Sequence, residues 1–337
     1  MAIVVKPSEI QSTLSKIWDS LESSGKMRAS LFNLIFYADE GPRGEYTQKI
    51  AQHVIEQFPA RIIMIRGSKS EGLVTKVSLL SPRGKEMDVA CDLIEINVSS
   101  IERIRVPFLI LPHILPDLPI YLIWGKDPTV EDSLFSELKK LATRIIFDSE
   151  CTESLTLFAK AVLENHSAHT EIADLNWARC ESWRNILSSA FYSQKRLQHL
   201  KEAKKIEIRF NAASTTSFSH TQIQALYLQS WLTAQLGWNK EKPEFRLLPD
   251  AQKERPPGLI LQVDIFTKDE GHYNFTLDST PPQKITMTFS SHELCELPSQ
   301  FLLPRKERGQ SLVKEICHPG TSSHYLKVLE LLESPCE

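Results

Sequence analysis

A short, nearly continuous apolar run at residues 29–37 is the feature that most constrains the fold. Its sequence is ASLFNLIFY, a composition typical of a strand that is buried on both faces of a sheet. A helix is the competing interpretation, because leucine and alanine tolerate either state. The turn-forming residues 39–44 (DEGPRG) end the run, and they favour the strand.

A second strand after an intervening helix sets the topology of this half of the chain. Helix-forming residues continue to about Phe58, and residues 61–66 (RIIMIR) form the next apolar strand. Strand, helix and strand together predict a β-α-β unit with a right-handed crossover. Two further strands, at residues 73–80 and 88–98, are joined by the turn-forming residues 81–85 (SPRGK). We expect these two strands to pair antiparallel.

Helices and strands continue to alternate up to about residue 163. This pattern predicts an α/β domain with a mixed sheet between helices. The remaining predicted elements are a helix at 10–21 ended by Gly25, a helix at 99–111, a strand at 120–124, a helix at 130–141, a strand at 144–147 and a helix at 153–163.

The second half of the chain has a different pattern, in which helices come first and strands follow. The elements predicted there are a helix from about 182 to 202, a strand at 206–210, a helix at 221–236 ended by Gly237, four strands at 244–248, 259–266, 272–277 and 284–289 with turns at 269–271 and 281–282, and helices at 307–316 and 324–332. This order predicts an antiparallel sheet with helices on one side, which is an α+β arrangement.

A polar run at residues 166–171 (HSAHTE) separates the two patterns. A length of 337 residues is long for one hydrophobic core and suits two domains. We therefore predict an N-terminal α/β domain at residues 1–168 and a C-terminal α+β domain at residues 169–337, with the polar run as the link between them.

Composition and charge argue against several classes of function. Apolar residues make up 42% and charged residues 24% of the chain, as in ordinary soluble globular proteins. A net charge of −3 gives no electrostatic basis for binding nucleic acid or an anionic membrane. No apolar run approaches the roughly 18–20 residues of a membrane span, and residues 1–7 (MAIVVKP) do not resemble a signal peptide. We expect a cytoplasmic protein.

Motifs for cofactor binding and catalysis are missing from the sequence. The glycines form neither the dinucleotide fingerprint nor the phosphate loop. Residues 41–44 (GPRG) lie between a strand and a helix, where an anion could bind, but Asp39 and Glu40 precede them and would repel phosphate. His166 and His169 are the closest histidine pair, without a cysteine pair to complete a metal site. No nucleophile motif is present, so we predict no catalytic residue, metal or cofactor.

Residues 174–185 (DLNWARCESWRN) contain two tryptophans and two arginines. A helical apolar stripe follows them, and we assign Ser182 as the N-cap of that helix. Tryptophan and arginine are enriched where protein surfaces bind each other tightly, so Arg179, Trp183 and Arg184 are our candidate partner-binding residues. In the competing interpretation, both tryptophans fill a domain junction and the arginines pair with nearby carboxylates.

The same segment resembles a known family. Its pattern Asp-Leu-x-Trp-x-Arg, then three residues, then Trp-Arg is similar to the mid-chain signature of the OpcA family, the glucose-6-phosphate dehydrogenase assembly proteins. At Glu181-Ser182 the chain departs from that family, which usually has Thr-Pro there. Three other stretches are similar to the family in the same order, namely residues 115–124 (LPDLPIYLIW), 225–238 (ALYLQSWL leading to LGW) and 303–305 (LPR).

The resemblance implies a non-catalytic protein that binds glucose-6-phosphate dehydrogenase and promotes its active oligomer in the oxidative pentose phosphate pathway. A second hypothesis, from the residues alone, stays open. It is an α/β protein or enzyme that binds a nucleotide or sugar phosphate in the crevice at the strand ends of the N-terminal sheet.

The scatter of the cysteines predicts free thiols, as is usual in a reducing compartment. The six cysteines are Cys91, Cys151, Cys180, Cys295, Cys317 and Cys336. Adding dithiothreitol should leave the melting temperature unchanged, because no disulfide, typically worth about 2–5 kcal/mol, would be lost. Thermal unfolding with and without the reductant tests this, and a fall of several degrees on reduction would contradict it.

Overall fold

The chain forms two compact units, and each unit is assembled from three segments. Unit 1 contains Met1–Thr152, Glu164–Leu175 and Arg308–Thr321, and unit 2 contains Glu153–Leu163, Asn176–Glu307 and Ser322–Glu337. The division into two domains at residues 1–168 and 169–337 stays a prediction. The computed structural model describes residues 2–21, 25–55, 58–80, 89–238, 242–278, 280, 283–292, 294–303, 310–318 and 320–334.

A nine-stranded mixed sheet forms the centre of unit 1. Its strands are β1 (Ile3–Val5), β2 (Met27–Arg28), β3 (Asn33–Asp39), β4 (Arg61–Ser68), β5 (Leu73–Leu80), β6 (Val89–Ser99), β7 (Ile120–Trp124), β8 (Arg144–Phe147) and β9 (Glu171–Asp174). The order across the sheet is β1-β5-β6-β4-β3-β7-β8-β9, with β2 paired to β6. β5 runs antiparallel to β1 and β6, as predicted for β5 and β6, although the predicted turn at 81–85 lies outside the described residues.

The α-helices are short to medium in length. Within the described residues none is both long enough and apolar enough to cross a membrane. In chain order they are α1 (Ile10–Leu21), α2 (Pro42–Ile55), α3 (Val106–Ile110), α4 (Ser133–Leu138), α5 (Leu155–Glu164), α6 (Leu175–Arg179), α7 (Glu181–Ala190), α8 (Gln194–Lys201), α9 (Ile223–Leu236), α10 (Gln310–Cys317) and α11 (Ser323–Glu333).

Six parallel strands of unit 1 have the arrangement of a dinucleotide-binding domain. β6, β4, β3, β7, β8 and β9 are parallel neighbours, and numbered along the chain they lie in the order 3-2-1-4-5-6 of the Rossmann fold. β3 is buried from Asn33 to Ala38, as a strand covered on both faces must be. The predicted β-α-β unit and the mixed α/β sheet are therefore confirmed.

A buried carboxylate joins β6 to three other elements of unit 1. Asp92 accepts hydrogen bonds from Trp18 Nε1 at 2.8 Å and from Arg28 Nη2 at 2.6 Å, and Arg61 Nη2 lies 2.6 Å from its Oδ2. Asp92 and Arg61 are 1% and 2% exposed. Because removing one partner of a buried pair typically costs about 3–5 kcal/mol, these contacts fix α1, β2 and β4 against β6.

The predicted helix at residues 99–111 is broken into shorter segments. A 3-10 turn at Glu102–Arg105 leads into α3, and a second 3-10 turn at Leu111–His113 follows it. Pro107 and Pro112 lie in the first turns of the last two segments. Each proline lacks a backbone donor and so prevents one continuous α-helix.

A six-stranded sheet forms the centre of unit 2, in the order β11-β10-β12-β13-β14-β15. Neighbouring strands are antiparallel except β10 and β11, which are parallel. The α+β class with an antiparallel sheet is confirmed, with one exception. β10 and β11 pair parallel, because α9 connects them as a crossover. The strands are β10 (Ala203–Asn211), β11 (Glu244–Asp250), β12 (Ile260–Thr267), β13 (His272–Asp278), β14 (Lys284–Ser290) and β15 (Ser299–Leu302).

Two helices, α7 and α8, replace the single helix predicted from about 182 to 202, and α6 precedes them within the tryptophan segment. The N-cap of α7 is Cys180, so the assignment of Ser182 as the N-cap is wrong, and Ser182 lies inside the helix. The reason is the preceding helix. Cys180 N–H donates to the Asn176 carbonyl and Arg184 N–H donates to the Cys180 carbonyl, each at 3.1 Å, so backbone bonds continue from α6 into α7 without a side-chain cap.

The polar run at residues 166–171 is a hydrogen-bonded turn between α5 and β9. Ser167 N–H donates to the Thr170 carbonyl at 3.1 Å, and Ser167 Oγ accepts from the backbone N–H groups of His169 and Thr170. Glu171 already belongs to β9. The predicted link between folding units therefore extends one residue too far, because Glu171 already pairs in the sheet.

Cysteine side chains that the structure describes are free thiols, in agreement with the expectation from the sequence. They are Cys91, Cys151, Cys180 and Cys295.

Trp177 is a core residue of unit 2, with ring centroids 5.4 Å from that of Tyr325 and 6.4 Å from that of Tyr227. Trp177→Ala should lower the free energy of unfolding by about 3–5 kcal/mol, because it leaves a cavity among these rings. Tyr192 is 90% exposed, and Tyr192→Ala is the matched control, with an expected change within about 0.5 kcal/mol. Urea unfolding measures both variants, and equally small losses would contradict the prediction.

Candidate functional site

The carboxyl ends of β3 and β7 meet at the switch point of the unit 1 sheet. In sheets of this strand order, ligands bind in the crevice outside these ends. β3 ends at Asp39, and Gly125 and Lys126 directly follow β7. The side chains here decide whether the crevice can hold a cofactor.

Asp39 is the centre of a charged network at the switch point. Its Oδ1 accepts hydrogen bonds from Tyr37 Oη at 2.7 Å and from Arg103 Nη2 at 2.8 Å, and Lys126 Nζ lies 3.6 Å from its Oδ2. Asp132 Oδ2 lies 2.9 Å from Lys126 Nζ and 3.4 Å from Arg103 Nη1. Two cations therefore face two carboxylates. Burial, and then the bond to Asp39, raise the pKa of Tyr37, so its phenol remains the donor.

Glu40 occupies two further donors, which come from the end of β4 and the loop that follows it. Its carboxylate accepts from Ser68 Oγ at 2.9 Å and from the backbone N–H of Lys69 at 3.0 Å. The bond from Lys69, and then that from Ser68, lower the pKa of Glu40. An ionised side chain of the protein itself therefore binds the groups that could bind an anionic ligand.

Two glycines allow the backbone to pack closely around Asp39. A Cβ on Gly67 would lie 2.2 Å from Asp39 Oδ1, and a Cβ on Gly44 would lie 1.9 Å from the Asp39 carbonyl oxygen. Gly44 allows α2 to approach β3, a role that a glycine also has in dinucleotide-binding folds. Gly67 leaves room for the Asp39 carboxylate, so it serves an internal contact.

A second group of buried charges lies at the ends of α2, β8 and β9. Arg43 forms an ion pair with the fully buried Asp148. Burial alone would lower the pKa of Arg43, but the charge of Asp148 helps to raise it overall. Asp174 accepts from the backbone N–H of Ser149 at 2.8 Å and from its Oγ at 3.2 Å. Burial, and then Asp148, raise the pKa of Cys151 to about 12, so this thiol is a poor nucleophile.

Two cavities open at this end of the sheet, with volumes of about 310 and 760 Å³. Their linings contain more carboxylates than cations, which disfavours an anionic ligand. In the smaller cavity the charged residues are Asp39, Glu40, Glu45 and Arg66. In the larger cavity they are Asp39, Glu40, Glu71, Glu102, Lys69 and Arg103.

Metal-binding clusters are not found in the part of the chain that the structure describes, where no three His, Cys, Asp or Glu side chains are grouped to hold an ion. The histidine pair weighed from the sequence, His166 and His169, lies on an exposed turn.

The three sequence-predicted partner-binding residues lie on α6 and α7 of unit 2. Trp183 is 4% exposed, whereas Arg179 and Arg184 are half-buried. The Arg184 guanidinium carbon lies 3.5 Å from the ring centroid of Trp177, and Nη1 donates to the Trp177 carbonyl at 2.6 Å. The Arg179 guanidinium carbon lies 5.4 Å from the ring centroid of Phe218. Both arginines have internal partners, and their role in partner binding stays a prediction.

The network around Asp39 could not be predicted from the sequence. Arg103 follows β6, whereas Lys126 and Asp132 both lie between β7 and α4. The two cations reach Asp39 because parallel strands end at one edge of the sheet, and Asp132 joins the network through them. One signal was available. The acidic pair Asp39-Glu40 follows the first parallel strand, where its charge requires cations nearby.

Family models identify the relationship suggested by the tryptophan segment. Residues 51–161 match the model described as the glucose-6-phosphate dehydrogenase subunit N-terminal domain, and residues 170–329 match the corresponding C-terminal domain model. Together the two matches cover well over half of the sequence. The chain belongs to the OpcA family. The resemblance inferred from four sequence stretches is confirmed.

Curated relatives of this OpcA-family chain are longer than the chain itself. It is 28% identical over 242 residues to the putative OxPP cycle protein OpcA of Nostoc punctiforme, which covers 69% of this chain and 48% of the relative. It is 26% identical over 194 residues to the protein of the same name in Synechocystis, covering 56% and 39%. The chain thus spans about half, or less, of the length of the curated relatives it matches.

Solved structures support the fold of the OpcA-family chain. KijD10, a 3-ketoreductase from Actinomadura kijaniata solved with NADP and TDP-benzene, superposes with a TM-score of 0.52 at 7% identity, covering 90% of this chain and 96% of that one. At this identity the likeness concerns the fold alone, and it agrees with the Rossmann strand order.

Arg184 provides a test of how the tryptophan segment is held. Arg184→Ala removes a stacked guanidinium and a charge-assisted hydrogen bond, so we expect a folded variant that loses about 1–3 kcal/mol of unfolding free energy. Arg184→Lys keeps the charge but not the planar stacking, and should recover only part of that loss. Urea unfolding measures both variants, and an Arg184→Ala variant that is unfolded in buffer would contradict the prediction.

Proposed function

We propose that this protein is a non-catalytic assembly factor for glucose-6-phosphate dehydrogenase. It binds the dehydrogenase in the cytoplasm and promotes its active oligomer, which makes it an allosteric activator in the oxidative pentose phosphate pathway. Membership of the OpcA family supports an association with this dehydrogenase, because both matched models bear its name. Binding to nucleic acid is not part of the proposal, in keeping with a net charge of −3.

One observation supports the non-catalytic part of the proposal. Carboxylates of the chain already engage cations and a backbone N–H at the end of the sheet where dinucleotide phosphates bind in folds of this strand order. Asp39 binds Arg103, Glu40 binds the Lys69 N–H, and Asp148 binds the arginine at the start of α2. A phosphate placed about 4 Å from one of these carboxylates would be repelled by about 4 kcal/mol at an effective dielectric constant of 20.

Partner contact on unit 2 is proposed for Arg179 and Arg184, and Trp183, buried in the same segment, would support them from within. Aromatic rings hold both guanidinium groups in place within the chain. A side chain that is ordered before binding loses less conformational entropy on binding. Each guanidinium has five N–H donors, so it can keep its internal contact and still bind a carboxylate of the dehydrogenase.

The second candidate function is ligand binding at the switch point. The larger cavity, about 760 Å³, is within the size range of small-molecule sites. Its charge favours a neutral or cationic ligand over a phosphate ester. A rise in melting temperature with a sugar phosphate or nucleotide would support this candidate and weaken the argument from the carboxylates.

Mixing the purified chain with glucose-6-phosphate dehydrogenase of the same organism tests the proposal. We expect the specific activity of the dehydrogenase to rise and its sedimentation coefficient to increase. Arg184→Ala should weaken the activation, whereas the exposed control Tyr192→Ala should activate like the parent chain. The activity is measured as reduction of the nicotinamide cofactor at fixed dehydrogenase concentration.

Two results would contradict the proposal. One is the absence of a complex and of activation at micromolar concentrations of both proteins. The other is oxidation of glucose 6-phosphate by the isolated chain. If Arg184→Ala folds and activates fully, only the assignment of the contact to α6 and α7 is lost.

A further inference from the structure

An apolar ridge lies exposed on unit 1, next to the carboxyl end of β6. It consists of Ile101, Ile104, Phe108 and Leu111, which are 81%, 72%, 78% and 54% exposed. Spacings of three, four and three residues place them on one side of the helical segment that contains α3. Such a cluster exposes on the order of several hundred Å², which is the size of patches that mark interaction sites.

The opposite side of the same segment is anchored in unit 1. Val106 and Ile110 are fully buried. Before them, Arg103 binds Asp39 at 2.8 Å, and after them the His113 carbonyl accepts from the buried Arg61 at 2.7 Å. The five residues of α3 itself (VPFLI) are all apolar, and a helix that is apolar all round is usually covered on every side. Here the fold of unit 1 covers one side and leaves the ridge exposed.

A cavity of about 700 Å³ lies beside the ridge. Phe108, Leu109, Pro112 and Leu73 form much of its wall, and Arg105 is the lining residue with a permanent charge. The Arg105 side chain is 72% exposed, and its Nη1 lies 2.7 Å from the Glu102 carboxylate. Exposed ion pairs of this kind contribute little, so the guanidinium can share its donors with a second carboxylate.

These contacts define the chemistry of the occupant. We propose that the dehydrogenase docks on the ridge through an amphipathic segment, with an apolar side chain in the cavity beside Phe108 and a carboxylate on Arg105. The inference rests on the proposed function and adds to it a surface on unit 1. A second copy of this chain fits less well, because a twofold axis through the middle of the ridge would bring two Arg105 side chains together.

Charge substitutions in the ridge test the proposal with the full chain. Phe108→Asp places a carboxylate in the apolar contact, and we expect at least a tenfold rise in Kd for the dehydrogenase by titration calorimetry. Arg105→Glu should raise Kd about tenfold, whereas Arg105→Lys should raise it less. Leu297→Asp, at an 89% exposed position of unit 2, is the matched control and should bind like the parent chain. Should Phe108→Asp fail to fold by circular dichroism, Ile104→Ser takes its place.

The outcomes separate a failure of the ridge assignment from a failure of the proposed function. If the parent chain binds and the folded ridge variants bind equally well, the ridge assignment is overturned and the proposed function stands. If the parent chain does not bind, both are overturned. Sedimentation of the chain alone tests whether a second copy of the chain binds the ridge instead. Self-association that Phe108→Asp abolishes, with dehydrogenase binding unchanged, would overturn the proposal in favour of a contact between copies.

Discussion

The requirement that every buried charge be paired shapes both ends of the unit 1 sheet. At the amino end of the sheet, Asp92 binds Trp18, Arg28 and Arg61, and so fixes α1, β2 and β4 against β6. At the carboxyl end, buried Asp148 and its arginine meet the same requirement. Removing either member of such a pair leaves an unpaired buried charge. The elements at each end of the sheet therefore depend on these side chains to pack together.

The carboxyl ends of the parallel strands differ from those of a typical dinucleotide-binding fold, which leaves this edge of the sheet open for phosphate. Here Asp39 and Glu40 occupy it and bind the nearest cations and backbone N–H groups. In this chain, internal contacts therefore fill the edge of the sheet at the switch point. The segment that carries Arg103 is held by this contact, and the same segment presents the exposed ridge of unit 1. The network that fills this edge of the sheet thus also positions the ridge.

Much of the fold could be predicted from the sequence, because buried parallel strands are short apolar runs. β3, β4 and β7 were predicted within a few residues of their observed bounds. Whether two neighbouring strands run parallel or antiparallel was harder to predict. The alternation in β10 indicates one buried face, but it does not show that α9 places β11 beside β10 as a parallel neighbour.

The candidate site could be predicted only in part, and the reasons are physical. Ser182 suits an N-cap by type, but the preceding helix already supplies the backbone bonds that a cap would make. Trp183 and Arg184 could be selected as candidates because they lie in one short segment, and their role in partner binding stays a prediction. Arg103 and Lys126 could not be predicted, because the order of the parallel strands brings them to Asp39, and no local sequence pattern records that order.

The crowded switch point also determines how this scaffold would respond to redesign. Replacing Asp39 by a neutral residue would leave Arg103 and Lys126 facing Asp132 alone, so two positive charges would share one negative charge. Three carboxylates would still line the larger cavity beside two cations, so the cavity would stay acidic. The change would fall on the anchor of the ridge, because Arg103 would lose its 2.8 Å hydrogen bond to Asp39 and keep only the 3.4 Å contact with Asp132.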